Sequence, residues 1–355
     1  MHINSSLYFK SGKSLFLPVM SCKDIYGFYI KLSKEKYFFR GGFTPFNNGS
    51  TNNVSDNKYC VNKLLELEGL PVPKAIGISK EEFEDNTWDL KDLKFPVVIK
   101  PTIGTSCGTD VLCNIKDIKT LKYHLSEKFK DYQYLSIEEF INNLNSYRVL
   151  VFYGKVIGVV KRIPAQIIGD GQHSIIELIK IENEKRKCFS GKVTFGDLKI
   201  DEESKIILEE QQLIETDIPN KGAIVKLCYN CNSTRGGTMI SLGKQIDKTN
   251  ATILCNAAKV LNLNIVGFDF LCENINIPIN KTKGVIIEAN YHPDITIHEY
   301  PMYGVNNRVS KTIMKRFFYM HPFWGMYYMS TGLLFRLFSR LKKLAYNTIT
   351  SSLAS

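Results

Sequence analysis

Acid is what one end of this sequence lacks. After Glu299 there is no aspartate or glutamate, while Arg308, Lys311, Lys315, Arg316, Arg336, Arg340, Lys342 and Lys343 all follow. The formal charge of +11 therefore sits unevenly, and the stretch before that end is close to neutral. A nucleic-acid-binding body would carry its basic residues across its fold, so that class is set aside. A basic end speaks of a surface or a partner, not of core chemistry. The first residues, MHINSSLYFKSGKSLFLPV, hold no apolar core of signal-peptide length and no small-residue cleavage site. They read as mature sequence with a cytoplasmic localisation. The nine cysteines are odd in number and lack framework spacing, which fits a reducing compartment. Cys228 and Cys231 make one C-x-x-C, and no second pair completes a zinc site. No heptad run, collagen period or internal repeat occurs, so coiled-coil and solenoid folds are excluded.

What is present is ordinary globular material. A chain of 355 residues with 44% apolar and 23% charged residues can build two or three folding units with real cores. Residues 1 to about 45 alternate apolar and polar positions, as strands do. GGFTPFNNGSTNNVSDN then reads as turns. Lys58–Gly69 has helical spacing, PVPKAIGIS is a short strand, and a helical stretch follows near 80–93. FPVVIKP and DVLCNI read as strands around the loop TIGTSCGT. Residues 117–130 are helical, YLSIEEFI and YRVLVFYGKVIGVVKRIPA are strand-rich, and HSIIELIKIENEKRK is a helix. INIPIN and GVIIEANYHP read as strands about a hairpin-like connection. Helices and strands alternate irregularly, with antiparallel hairpins, so the fold class is α+β.

Two places carry chemistry. Pro96-Val97-Val98-Ile99 is an apolar strand that ends in Lys100, whose charge is costly to bury unless an anion meets it. Gly104, Thr105, Ser106, Gly108 and Thr109 follow; small and hydroxyl residues let backbone N–H groups surround a phosphate. No G-K-[ST] follows, so this is not a Walker A loop. The alternative is a plain hairpin turn with a surface lysine. At the other end, Asp269 follows Val266-Gly267-Phe268, and Glu288 and Asn290 lie two apart in one strand, on one face. Hard oxygen donors so placed suit Mg²⁺, which draws its remaining ligands from phosphates and water. The alternative is a capped strand end.

From about Asn57 to Phe318 the sequence resembles the ATP-grasp ligases, and within them the cyanophycin-synthetase-like group. NKYCVNKLLELEGLPVP and FPVVIKPTIGTSCGTDV resemble its two lysine motifs. VKRIPAQIIGDGQHSIIELIKIEN resembles its long R-x-P-A…GDG-x-H signature, NCNSTRGGT its N-x-S-x-GG loop, and GFDF with IIEANYHPDITIHEYP its metal motifs. The resemblance implies an ATP-grasp fold, two α+β lobes gripping ATP. The expected organisation is a small N-terminal strand-rich segment (1–55), a first lobe with the phosphate loop (56–135), a second lobe with the metal-binding strands (136–320), and a basic amphipathic tail (321–355).

It also implies roles. Lys58, Lys100, Gly104, Thr105, Ser106 and Gly108 would hold ATP phosphates, with Glu138 beside the adenine. Asp269, Glu288 and Asn290 would bind Mg²⁺ or Mn²⁺. Arg162 and Arg235 would face the reacting carboxylate or acyl phosphate, and His173 and His298 would lie on the substrate side. Three departures stand out. Asn145 or Ser146 takes the place of an acidic residue before Arg-x-Leu-Val, Asp294 replaces a glycine after Pro293, and Arg235 replaces a common threonine. The implied activity is ATP-dependent amide-bond formation between small carboxylate and amine substrates through an acyl phosphate, releasing ADP and phosphate. Two alternatives stay open: a ligase acting on a peptide, and a non-catalytic nucleotide-binding protein at a membrane. The implied partners include no nucleic acid, and a homo-oligomer stays open.

Phe317–Phe335 is a 19-residue run without a charged residue apart from His321. It is of borderline spanning length, but it contains Pro322, two glycines, tyrosines and Trp324, which favour an interface. Leu334, Leu337, Phe338, Leu341 and Leu344 then share a helix face with basic residues on the others. Docking on the protein's own body or a sister subunit, peripheral membrane contact through 320–345, and a true span are all compatible with this pattern.

Overall fold

A computed structural model describes all residues except 91–92, 104–109, 190–194 and 354–355, and no side chain is described at 339–340 or from 342 on. The chain divides into two compact units, Met1–Pro45 with Arg308–Ser355, and Phe46–Asn307.

The first unit opens with helix α1 (Ile3–Ser14), followed by the antiparallel strands β1 (Val19–Cys22), β2 (Gly27–Leu32) and β3 (Glu35–Phe39). A helix at 3–14 corrects the expected run of strands. Asn4, Leu7, Tyr8 and Gly12 recur at helical spacing and are buried on one face, and the His2 side chain caps the start by accepting the Asn4 N–H. Phe28 and Phe39 stack at 4.6 Å, with Tyr8 5.3 Å from Phe39.

The second unit begins with α2 (Gly49–Asp56) and α3 (Lys58–Leu67). Residues 49–56 were expected as turns; Asn48, whose side chain accepts the Thr51 N–H, caps them into a helix instead. Next come β4 (Ala75–Ser79), α4 (Lys80–Glu84), β5 (Val97–Pro101), β6 (Leu112–Ile115), α5 (Ile118–Lys128) and β7 (Tyr134–Glu139). Of the helical stretch expected near 80–93, only Lys80–Glu84 is helical among the described residues. The four-stranded sheet runs β4-β7-β5-β6 and closes over Leu121, Leu125 and Phe129 of and after α5. The expected lobe boundary at 135 falls inside β7, an inner strand of this sheet.

The chain continues through β8 (Asn145–Phe152), β9 (Lys155–Ile163), β10 (Gln166–Ile168), α6 (Ile175–Arg186), α7 (Glu202–Glu210), β11 (Ile224–Lys226), β12 (Thr238–Ser241), α8 (Lys248–Val260), β13 (Ile265–Cys272), β14 (Gly284–Asn290), α9 (Thr296–Glu299) and β15 (Tyr303–Gly304). Six strands form the sheet β14-β13-β8-β9-β12-β15. Val61 and Leu65 of α3 join its core with Val149, Val159, Leu254 and Phe268. Helix α3 thus packs on the six-stranded sheet. INIPIN forms no strand. Its backbone is held instead by Asn250, whose amide donates to Ile275 and Ile277 carbonyls and accepts the Ile279 N–H.

The chain then returns to the first unit with α10 (Val309–Met314), α11 (Arg316–Met320) and α12 (Pro322–Leu353). Val309, Ile313, Met314 and Phe317 are buried there. The tail expected to start at 321 therefore belongs to the same unit as Met1–Pro45, whose second segment begins at Arg308. Among the described residues, no helix is long and apolar enough to cross a membrane, so the spanning reading is not supported.

Candidate active site

Strands β5 and β7 place the first charged pair. Lys100 stands opposite Ser136, and Glu138 lies two residues along on the same face. The Lys100 Nζ meets Glu138 Oε1 at 2.7 Å, with side chains only 7% and 4% exposed. The Ser136 hydroxyl donates to the same carboxylate at 3.1 Å. The anion that the strand-end lysine needs is thus supplied from within. Gly104, Thr105, Ser106 and Gly108 lie outside the described residues.

Lys58 opens α3, whose N-cap Asn57 accepts the Cys60 N–H at 3.0 Å. The Lys58 N–H donates to the Thr102 carbonyl at 2.9 Å, and its Nζ lies 4.0 Å from Glu288 Oε1. One residue therefore touches both the segment just past Lys100 and the carboxylate of β14.

The six-stranded sheet gathers the rest. Asp269 on β13 stands directly opposite Glu288 on one side and Arg148 of β8 on the other. A bulge after this pair leaves Glu288 in step with Asp269 while shifting the strand beyond it. Gly267 pairs with Asn290 in the same register, and the Asn290 amide donates to the Gly267 carbonyl at 3.4 Å. Gly267 also makes room: a Cβ there would stand 3.0 Å from the Arg148 guanidinium and 3.0 Å from Pro293. Arg148 Nε lies 2.6 Å from Asp269 Oδ1, and Arg162 reaches Oδ2 at 3.0 Å. Burial works against the Arg162 charge, but Asp269 outweighs it and holds the guanidinium above its ordinary range. Arg162 also donates to the Ser146 hydroxyl, at 3.0 and 3.2 Å. Ser146, one of the two residues at the expected acidic place, is thus buried against an arginine.

The fit of a divalent cation can be judged from these donors. Among the described residues no three His, Cys, Asp or Glu side chains form a ready cage. Glu288 is a third exposed, Asn290 shares its face, and Asp269 stands across the ladder, which matches the sparse protein ligation of Mg²⁺. Asp269 is engaged by two guanidinium groups and would have to share its oxygens.

Arg235 lies elsewhere, in the short 3-10 turn Ser233–Arg235. It is clamped by Asp201 at 3.0 Å and Glu203 at 2.7 Å. Gly236, with φ of +83°, ends that turn, and a Cβ on Gly237 would stand 2.7 Å from the carbonyls of Cys231 and Asn232. The paired glycines of NCNSTRGGT are therefore what fold Arg235 onto its carboxylates. Burial, helped by Glu203, pushes the Cys113 and Cys228 thiols up to about 12, so neither serves as a nucleophile at neutral pH.

His173 bonds Asp170 at 2.6 Å through Nδ1, and that carboxylate raises its pKa. His298 in α9 is fully buried, neither ring nitrogen has a hydrogen-bond partner among the described residues, and burial with the nearby Arg148 lowers its pKa to about 3. Arg148, Asp201 and Glu203 were not singled out from the sequence. The signal for Arg148 was there: one arginine inside the apolar strand YRVLV.

A family model of the RimK-like ATP-grasp domain matches residues 55–173. The chain is 31% identical over 259 residues to a cyanophycin synthetase of Crocosphaera subtropica, covering 72% of this chain and 29% of the relative. The bifunctional glutathione biosynthesis protein of Pasteurella multocida is 24% identical over 289 residues, covering 80% of this chain and 38% of the relative. The crystal structure of a bifunctional glutathione synthetase from Pasteurella multocida superposes with a TM-score of 0.60 and 21% identity, covering 87% of this chain and 44% of that one. The chain belongs to the ATP-grasp group. It spans about 29 to 38% of the length of these curated relatives. The fold expectation of α+β lobes in an ATP-grasp arrangement is met.

Proposed function

We propose that the chain is an ATP-dependent ligase that joins a carboxylate to an amine through an acyl phosphate, releasing ADP and phosphate. The observation that carries this reading is the alignment of Arg148, Asp269 and Glu288 across three adjacent strands, with Lys58 beside Glu288. Cations and oxygen donors arranged so closely suit a site through which phosphate charge must shift. The ligases among its relatives support the same class of reaction.

In this reading Lys58 and Lys100 contact phosphate oxygens, and Lys100 is held in place by Glu138. Arg162, fixed by Asp269 and Ser146, faces the carboxylate being activated and the oxyanion formed when the amine attacks. Arg235 sits on the acceptor side, restrained by Asp201 and Glu203. Asp269, Glu288 and Asn290 would hold Mg²⁺, which when bound neutralises phosphate charge. The substrates fall in the class of small acids and amines, amino acids or peptides.

The test is a melting-temperature series. Mg·ATP should raise the midpoint of the native chain and should not raise that of Glu288→Gln, whose side chain is exposed enough to change without unfolding the protein. A phosphate-release screen over amino acids and short peptides, read by mass spectrometry of products, would then name the pair. No rise with Mg·ATP, or release of AMP in place of ADP, would remove this reading.

A further inference from the structure

The charge of the molecule is divided between its units. Met1–Pro45 with Arg308–Ser355 holds 15 lysines and arginines against two carboxylates, whereas Phe46–Asn307 holds 31 against 33. The whole positive excess therefore belongs to the unit that ends in α12.

Helix α12 has a defined inner side. At Gly332 a Cβ would stand 2.2 Å from the Phe16 ring, and the Arg336 guanidinium lies 4.3 Å over that ring. The side of the helix bearing residues 332 and 336 is thus turned to its own unit. At 3.6 residues per turn, Leu333, Leu334, Leu337, Phe338 and Leu341 occupy the other side. They are exposed: Leu334 at 54%, Phe338 at 63% and Leu341 at 53%. Trp324 and Tyr327, side chains that prefer a water–hydrocarbon boundary, are exposed about two to three turns earlier. Helical spacing places positions 340 and 342 at the two margins of the apolar arc and 343 behind it. Such a contiguous apolar arc marks an interaction site rather than ordinary surface.

We propose that α12 lies flat on an anionic lipid bilayer, its apolar arc in the headgroup–acyl boundary and the positive charge of its unit facing the lipid phosphates. Charge decides between the occupants. A second copy would bring two units of the same strong positive sign together, which like-charge repulsion opposes. An anionic surface complements that sign and accepts leucine and phenylalanine side chains. The inference is independent of the reaction proposed above.

The experiment is co-sedimentation of the full chain with vesicles of phosphatidylcholine alone or with one third phosphatidylglycerol. Binding to the anionic vesicles should exceed binding to the neutral ones by about tenfold or more, and should weaken as salt rises. Leu337→Glu with Phe338→Glu should abolish it while leaving the melting curve in place, since both side chains are exposed. Lys342→Gln with Lys343→Gln should reduce it by about tenfold or more without altering the apolar arc. Three results would overturn the proposal: no pelleting with either vesicle, equal pelleting with both, or a lipid-free dimer in sedimentation equilibrium that the Glu pair dissociates.

Discussion

Lys100 and Glu138 form a buried ion pair, 2.7 Å apart on neighbouring strands. Their placement couples the site to the stability of its lobe. Removing one partner strands the other charge in an apolar sheet, at a cost of about 3–5 kcal/mol. Replacing both with apolar residues leaves no orphan. Lys100→Ala should therefore destabilise the chain more than the double change Lys100→Met with Glu138→Leu, in urea melts at pH 7. Both variants should lose the Mg·ATP-dependent rise in melting temperature. If the double variant is no more stable than Lys100→Ala, the pair is not isolated from water as described.

Asp269 faces a different balance, because two guanidinium groups share it. Asp269→Asn keeps the shape and removes the charge, leaving Arg148 and Arg162 in mutual repulsion. Arg148→Met removes one cation and leaves the Arg162 pair intact. The expected order is that Asp269→Asn lowers stability by about 3–5 kcal/mol and Arg148→Met by clearly less. Urea unfolding of the two variants beside the native chain checks it, and the reverse order would mean that Asp269 is not what holds both arginines.

How much of this was legible in the sequence depends on the range of each interaction. Lys100 could be read from its position at the end of an apolar strand, and Glu288 with Asn290 from their spacing on one face. That Lys100 would pair with Glu138 could not be read, because it depends on β7 entering between β4 and β5. The partner of Arg148 was hidden for the same reason: Asp269 is 121 residues away and meets it only through strand register. Helix α1 is hidden in the sequence because its three-to-four-residue burial period runs straight into the strand alternation of β2 and β3. The division of charge was visible at once, but the union of the two chain ends in one unit was not. Side-chain periodicity is local and readable, whereas register and end-to-end packing are set by the whole chain.

His298 gives the last prediction. Its imidazole is fully buried, and burial with the Arg148 charge lowers its pKa to about 3. In the unfolded chain the same group takes a proton near pH 6.5. Between those two values the unfolded state binds one more proton than the folded state. Stability is therefore complete above about pH 6.5 and declines as pH falls toward 3. From pH 7 to pH 5 this single group should account for about 2 kcal/mol of lost stability. His298→Leu keeps an apolar side chain in place and removes the titration. Whatever it does at pH 7, its urea midpoint should fall less than the native midpoint on going to pH 5. Parallel pH curves for the two proteins would show that the imidazole already carries its proton, or meets water, in the folded state.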